Sequence, residues 1–132
     1  MIVVVRLNGL RLESVNRPQV GMSKGATFAQ AAKIKRVRVR VELEVRAALS
    51  HIRQLPAAIH VIRISAGRCD DDNLIGSSKA LLDGIASALG VNDRTFVILG
   101  CRPGIRVTFD QRSEGRGQFA AELRFTFTDG AP

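Results

Sequence analysis

At 132 residues the chain can bury one hydrophobic core but is too short for two, so we expect a single domain spanning residues 1–132. Hydrophobic residues make up 45% and charged residues 24%, which excludes a disordered protein. The net charge is +8, and all but four of the 20 cationic residues are arginines. Because the planar guanidinium group binds phosphate through two parallel hydrogen bonds, this composition favours a nucleic-acid partner.

No segment of the sequence has the length expected of a membrane span or a signal sequence. The apolar run at residues 1–5 is interrupted by Arg6 and is far shorter than either. Cys69 and Cys101 lie far apart without a metal-binding spacing, which is typical of reduced thiols. We therefore expect a cytoplasmic protein without a membrane partner.

The first half of the chain predicts one strand, one loop and one ambiguous segment. Residues 2–7 suit a strand, and the glycines and proline of residues 8–25 indicate a loop. Between residues 28 and 53, apolar side chains alternate as in a strand, yet Val37, Val41 and Val45 also share one helical stripe. The length and the alanine-rich ends favour a helix, but the pattern at 34–46 allows both interpretations.

The second half predicts a strand, a helix and three more strands. Residues 59–64 are rich in β-branched side chains and lead into the aspartates. Residues 74–89 predict the clearest helix, with Asp72 or Asn73 as N-cap and Gly90 just after its end. The remaining strands are expected near 95–101, 104–110 and 119–127, the last two as a hairpin. The predicted fold is α+β, with a mixed sheet and two main helices.

Three consecutive aspartates, Asp70 to Asp72, stand out in this cationic sequence. Their carboxylates repel one another, so a cation, proton uptake or full hydration must offset the repulsion. Side chains alternate along an extended segment, which places Asp70 and Asp72 on one face. Two carboxylates on one face suit Mg²⁺, or alternatively Mn²⁺.

The predicted helix adds a lysine and a further acid to this cluster. At 100° per residue, Asp72, Lys79 and Asp83 fall within about 40° of one another, beside Gly76. A metal site, a lysine and a helix N-terminus together are suited to phosphodiester cleavage. The alternative is that the acids only cap the helix and complement its dipole.

Residues 68–74 (RCDDDNL), followed by Lys79, by Asp83 and by Asn92-Asp93, resemble the signature of the RusA family of Holliday-junction resolvases. Residues 14–17 (SVNR) resemble an early element of the same family. Lys79 lies three positions later than in the best-known members, and Asn92 replaces an acid that is common in the family.

The resemblance implies a homodimer that binds four-way DNA junctions and nicks two strands with Mg²⁺. It implies that Asp70, Asp72 and Asp93 are the metal ligands and that Lys79 is the catalytic lysine. Asn73 and Asp83 are expected to support this site.

Cations along the predicted helix suggest where DNA is bound. The residues expected to contact DNA are Arg17, Lys33, Arg36, Arg40 and Arg68. Because Glu42 and Glu44 interrupt the cationic run, a solvated helix face is the alternative.

The sequence thus predicts a Mg²⁺-dependent endonuclease for branched DNA. Two other functions stay open: a non-enzymatic DNA-binding phage protein, and a metal-dependent nuclease of relaxed structure specificity.

Overall fold

The computed structural model describes residues 1–12, 24–67 and 71–128, and within 24–30 and 71–73 the description is confined to the backbone. The elements in chain order are β1 (Ile2–Asn8), α1 (Lys24–Ala48), β2 (Ala58–Ile64), α2 (Asp71–Ser77), α3 (Lys79–Leu89), a 3₁₀ turn (Asp93–Thr95), β3 (Phe96–Val97), β4 (Ile105–Arg112) and β5 (Ala120–Thr126). The five strands form one mixed sheet, which confirms the predicted α+β class.

The ambiguous segment is a helix of 25 residues, α1. Val41 and Val45 are fully buried, whereas Val39 and Leu43 are 41% and 60% exposed. In a strand all four side chains would share one face and would be buried or exposed together. The observed split between buried and exposed side chains therefore follows the period of a helix and not the period of two of a strand. The preference for a helix is confirmed.

The predicted single helix at 74–89 is wrong, because the chain forms two helices separated at Ser78. The hydroxyl groups of Ser77 and Ser78 both donate to the carbonyl oxygen of Leu74, at 3.0 and 2.8 Å. Serine hydroxyls that bond the preceding turn compete with the helical backbone, and here the Ser78 N–H bonds to the Ile75 carbonyl in a tighter turn. Gly90, with φ of +69°, ends α3 as predicted.

The first of these helices begins earlier than predicted. It starts at Asp71, so Asp72 and Asn73 lie within its first turn and not at the N-cap position. The described part of the aspartate segment, from Asp71 onwards, is therefore helical.

The strand order is β1-β5-β2-β4-β3, and β5 alone runs antiparallel to its neighbours. Ala120, the first residue of β5, is paired with both Asn8 and Ile64, and Ile64 is also paired with Arg112. The carboxyl ends of β1, β2 and β4 consequently meet at one edge of the sheet. Such edges are common sites of ligand binding in sheets of this kind, and the aspartate segment follows β2 here.

Two strand predictions are wrong. The strand expected at 95–101 is only Phe96–Val97, because the chain bends from Ile98 to Cys101, where Gly100 has a φ of +95°. The expected hairpin of β4 and β5 does not form, since β2 lies between them. β2 is apolar on both faces, which suits a central strand.

Helices α1 and α3 pack against each other over one face of the sheet, and Gly84 lies at their contact. A Cβ atom at Gly84 would lie 2.6 Å from the Arg38 carbonyl oxygen and 2.9 Å from the Val41 Cβ. The absence of a side chain thus allows the close approach of the two helices.

The opposite face of the sheet carries a charged cluster around Glu122, which is buried. Its carboxylate lies 2.8 Å from Arg124, 3.6 Å from Arg112 and 3.9 Å from Arg6. Arg6 also donates to Glu114 at 3.2 Å, and this hydrogen bond raises the pKa of Arg6 and lowers the pKa of Glu114. Three arginines thus share the two carboxylates of Glu114 and Glu122, which offset most of their charge within the protein.

No helix in the described residues is long and apolar enough to cross a membrane.

Candidate functional site

A groove of about 660 Å³ lies between α1 and the two helices α2 and α3. The segment after β1 closes one side of it. Its lining residues are Gly9, Leu10, Arg11, Leu12, Lys33, Ile34, Arg36, Val37, Arg40, Gly76, Ser77, Lys79, Ala80 and Asp83. The groove therefore combines cationic and apolar side chains from four parts of the chain.

Among the residues that the structure describes, five cations and one carboxylate, Asp83, line this groove. Two of the cations have internal contacts: Arg40 donates to the Asn8 carbonyl at 2.8 Å and lies 3.6 Å from Glu44, and the Arg11 guanidinium lies 4.8 Å from the Phe119 ring centroid. The other three, Lys33, Arg36 and Lys79, form no ion pair or hydrogen bond with the described residues. Three positive charges are thus available to an anionic ligand.

Lys79 and Asp83 share the groove, as the helical period predicted. Lys79 is the first residue of α3 and is exposed, and Asp83 follows one turn later. Their charged atoms are not within the 4 Å of an ion pair, since the ion pairs in the described part of the chain involve other residues. The Lys79 ammonium group is not neutralised by its helical neighbour.

The predicted DNA-binding residues fall into two groups. Lys33, Arg36 and Arg40 are brought together along the groove by successive turns of α1. Arg17 and Arg68 lie outside the described residues.

The predicted metal ligands are described only in part. Asp70 lies outside the described residues, and for Asp72 and Asn73 the backbone of the first turn of α2 is described. Within the described ranges, no three histidine, cysteine or acidic side chains are grouped as a metal site.

Asp93 lies in an exposed 3₁₀ turn at the far end of α3 from Lys79. Helix α3 has 11 residues, so its two ends lie about 15 Å apart. The turn leads into Phe96, which pairs with Ile105 at the amino end of β4. Within one chain, the structure does not bring Asp93 to the Lys79 end of the groove.

Sequence reasoning missed two arginines near these elements. Arg11 lies in the segment that was predicted only as a loop, although it stands between Leu10 and Leu12, whose burial marks a packed segment. Arg63 follows the core residues Ile59 and Val61 on the helix-facing side of β2, where a charged side chain is unusual.

Arg63 holds the chain that leads to the aspartates. Its Nη1 atom donates to the Gly67 carbonyl at 3.1 Å, and its Nε atom is buried without a hydrogen-bond partner. Gly67 is the last described residue before the acidic segment. Arg63 therefore fixes the direction in which the chain leaves β2.

No protein-family model matches the chain, and a comparison with curated proteins finds no match. The resemblance of residues 68–93 to RusA resolvases therefore stays a prediction.

Proposed function

We propose that this protein is a metal-dependent DNA endonuclease that nicks branched DNA such as four-way junctions. The observation that carries the proposal is the groove beside α2, in which Lys33, Arg36 and Lys79 have no ion pair or hydrogen bond with any described residue. Helix α2 begins at Asp71, inside the aspartate segment, and its residues Gly76 and Ser77 line the same groove as the cations. An anionic backbone is the ligand such a groove fits best.

The proposed metal ligands are Asp70 and Asp72, with Asp93 added by the resemblance alone. Carboxylate oxygens are the donors that Mg²⁺ and Mn²⁺ prefer, so the donor set fits the ion. A bound divalent ion would lower the pKa of a water molecule and polarise the phosphate. Because α3 separates Asp93 from Lys79, the two could serve one phosphate only if one of them came from a second copy of the chain.

The chain's own residues supply the remaining functions. Lys33, Arg36 and Arg40 bind the DNA backbone along α1 and orient it in the groove. Lys79 places its ammonium group where negative charge increases as the phosphodiester bond breaks. Asp83 lines the same groove and limits the positive charge around Lys79.

The test is a cleavage assay on a four-way junction and on a duplex of matched length, with Mg²⁺ and with EDTA. Nicking of the junction that requires Mg²⁺ supports the proposal. Binding without nicking supports a non-enzymatic DNA-binding protein, which the cationic groove alone would explain. Equal nicking of both substrates supports a nuclease of relaxed structure specificity.

The proposal includes a homodimer in the cytoplasm. A four-way junction has two-fold symmetry, and two matched active sites would nick two of its strands. Light scattering on the eluted protein tests this, with a mass twice the 14.3 kDa of one chain as the expected result.

A further inference from the structure

The groove has an apolar floor beneath its cations. Leu10 and Leu12 are buried at 5% and 4% exposure, and Val37 is half-buried beside them. Ile34, at 38% exposure, extends this surface towards solvent on the same helix. Leu10 and Leu12 belong to the hydrophobic core, whereas Ile34 and Val37 present apolar surface, so a ligand in the groove would meet apolar groups as well as charge.

The unpaired cations lie around that floor and not across it. Lys33 and Arg36 come from α1, and Lys79 comes from the start of α3 on the other side. A ligand on the floor would thus have positive charge on both sides. The volume of about 660 Å³ is within the range of pockets that enclose a small ligand, roughly 300–1,000 Å³.

We infer that this groove binds a short unpaired stretch of DNA, with base faces against the apolar floor and phosphates at the cations. In a duplex the base faces are stacked and only the base edges are accessible, so a duplex cannot offer the apolar surface that the floor requires. An unpaired nucleotide carries both an apolar face and an anionic phosphate. The inference takes from the proposed function that the ligand is DNA. It does not depend on whether the protein cleaves that DNA.

None of the described residues that line the groove is aromatic. Base contacts there depend on aliphatic surface and on the plane of the Arg36 guanidinium group, which every base can use. The site is therefore expected to accept unpaired DNA of any sequence. Branch points and strand ends are the places where such nucleotides occur.

The test is a fluorescence anisotropy titration in EDTA, which prevents cleavage. The probes are a labelled six-nucleotide thymidine strand, an abasic strand with the same number of phosphates, and a duplex. Ile34→Ser removes part of the floor, and Val39→Ser is the matched control because Val39 is similarly exposed (41%) on α1 but does not line the groove. Thermal unfolding confirms that both variants are folded.

The inference predicts that the wild-type protein binds the thymidine strand at least fivefold more tightly than the abasic strand, because the abasic strand lacks the base faces whose burial against the aliphatic floor is favourable. Ile34→Ser should remove most of this preference, and Val39→Ser should leave it unchanged. Lys33→Ala should lower the affinity for the thymidine strand and for the abasic strand about equally, because it removes a contact to phosphate that both strands make.

Equal affinity of the wild-type protein for the thymidine and abasic strands would overturn the inference. An Ile34→Ser variant that keeps the full preference for the thymidine strand over the abasic strand would also overturn it. So would a six-residue polyglutamate peptide that binds more tightly than the thymidine strand, because this would indicate a protein partner. These outcomes are independent of the cleavage assay. A protein that prefers the thymidine strand but never nicks DNA would contradict the proposed nuclease and leave this inference standing.

Discussion

Replacing Lys79 with alanine removes the groove cation at the start of α3. If Lys79 formed an ion pair with Asp83, its replacement would lower the stability of the protein by only about 0.3–0.5 kcal/mol. The two side chains do not form that pair, so this role is absent from the structure. We therefore expect the main effect of Lys79→Ala in the chemical step.

The size of that effect follows from the interaction between the ammonium group and the phosphate. A charge that stabilises the developing negative charge on a phosphate contributes about 2.7–4 kcal/mol, which corresponds to roughly 10²–10³ in rate. DNA binding should fall much less, since Lys33, Arg36 and Arg40 stay along the same groove. A large decrease in the rate constant with a small decrease in affinity marks an interaction made mainly in the transition state.

The assay is single-turnover cleavage of a four-way junction at saturating protein, which separates the chemical step from binding. Lys35→Ala is the matched control, because Lys35 is an exposed lysine on α1 that does not line the groove. It should cleave at close to the wild-type rate. A decrease of less than about threefold for Lys79→Ala, or an equal decrease for both variants, would refute the role given to Lys79.

Three further predictions concern DNA binding, helix packing and pH. The double variant Arg36→Ala/Arg40→Ala should weaken junction binding and reduce the slope of log affinity against log salt by about 0.9 for each phosphate that is no longer neutralised. Arg38→Ala, which lies outside the groove, is the control and should change this slope less. Gly84→Ala should destabilise the protein by about 1–3 kcal/mol in urea unfolding, because the added methyl group meets the Arg38 carbonyl oxygen and Val41 where α1 and α3 pack. An increase in stability would mean that the helices can separate there. Because the pKa of Glu114 is lowered, its contribution to stability is present above the ordinary pKa of glutamate and disappears as the pH falls through the lowered value. Glu114→Gln should therefore destabilise the protein at pH 7 but not in strong acid, and an equal effect at both pH values would contradict this.

Much of the fold could be predicted because the sequence patterns are local. The α1 segment was ambiguous because its valines satisfy both periods, and the length of the run and its alanine-rich ends favoured a helix over a strand. Two features depend on interactions that no period reveals. The break at Ser78 arises from hydroxyl bonds to Leu74, and the separation of β4 from β5 arises from the insertion of β2 between strands that are neighbours in sequence.

The candidate site was predictable where it follows helical geometry. Lys33, Arg36 and Arg40 share the groove with Lys79 and Asp83, all of which were singled out from the sequence. Arg11 was missed because a loop has no period from which its direction could be predicted. Its place in the groove depends on the burial of its two leucine neighbours, which is a tertiary property.

The most direct test of the proposed nuclease compares the wild-type protein with Asp70→Asn and Asp72→Asn variants on a four-way junction in Mg²⁺. Each change removes the charge of a proposed metal ligand and also relieves repulsion among the aspartates, so folding should be preserved. We expect both variants to bind the junction as the wild-type protein does, through the α1 cations, and to show no nicking. Wild-type nicking by either variant would contradict the metal site, and the absence of nicking by the wild-type protein in Mg²⁺ and in Mn²⁺ would contradict the nuclease itself.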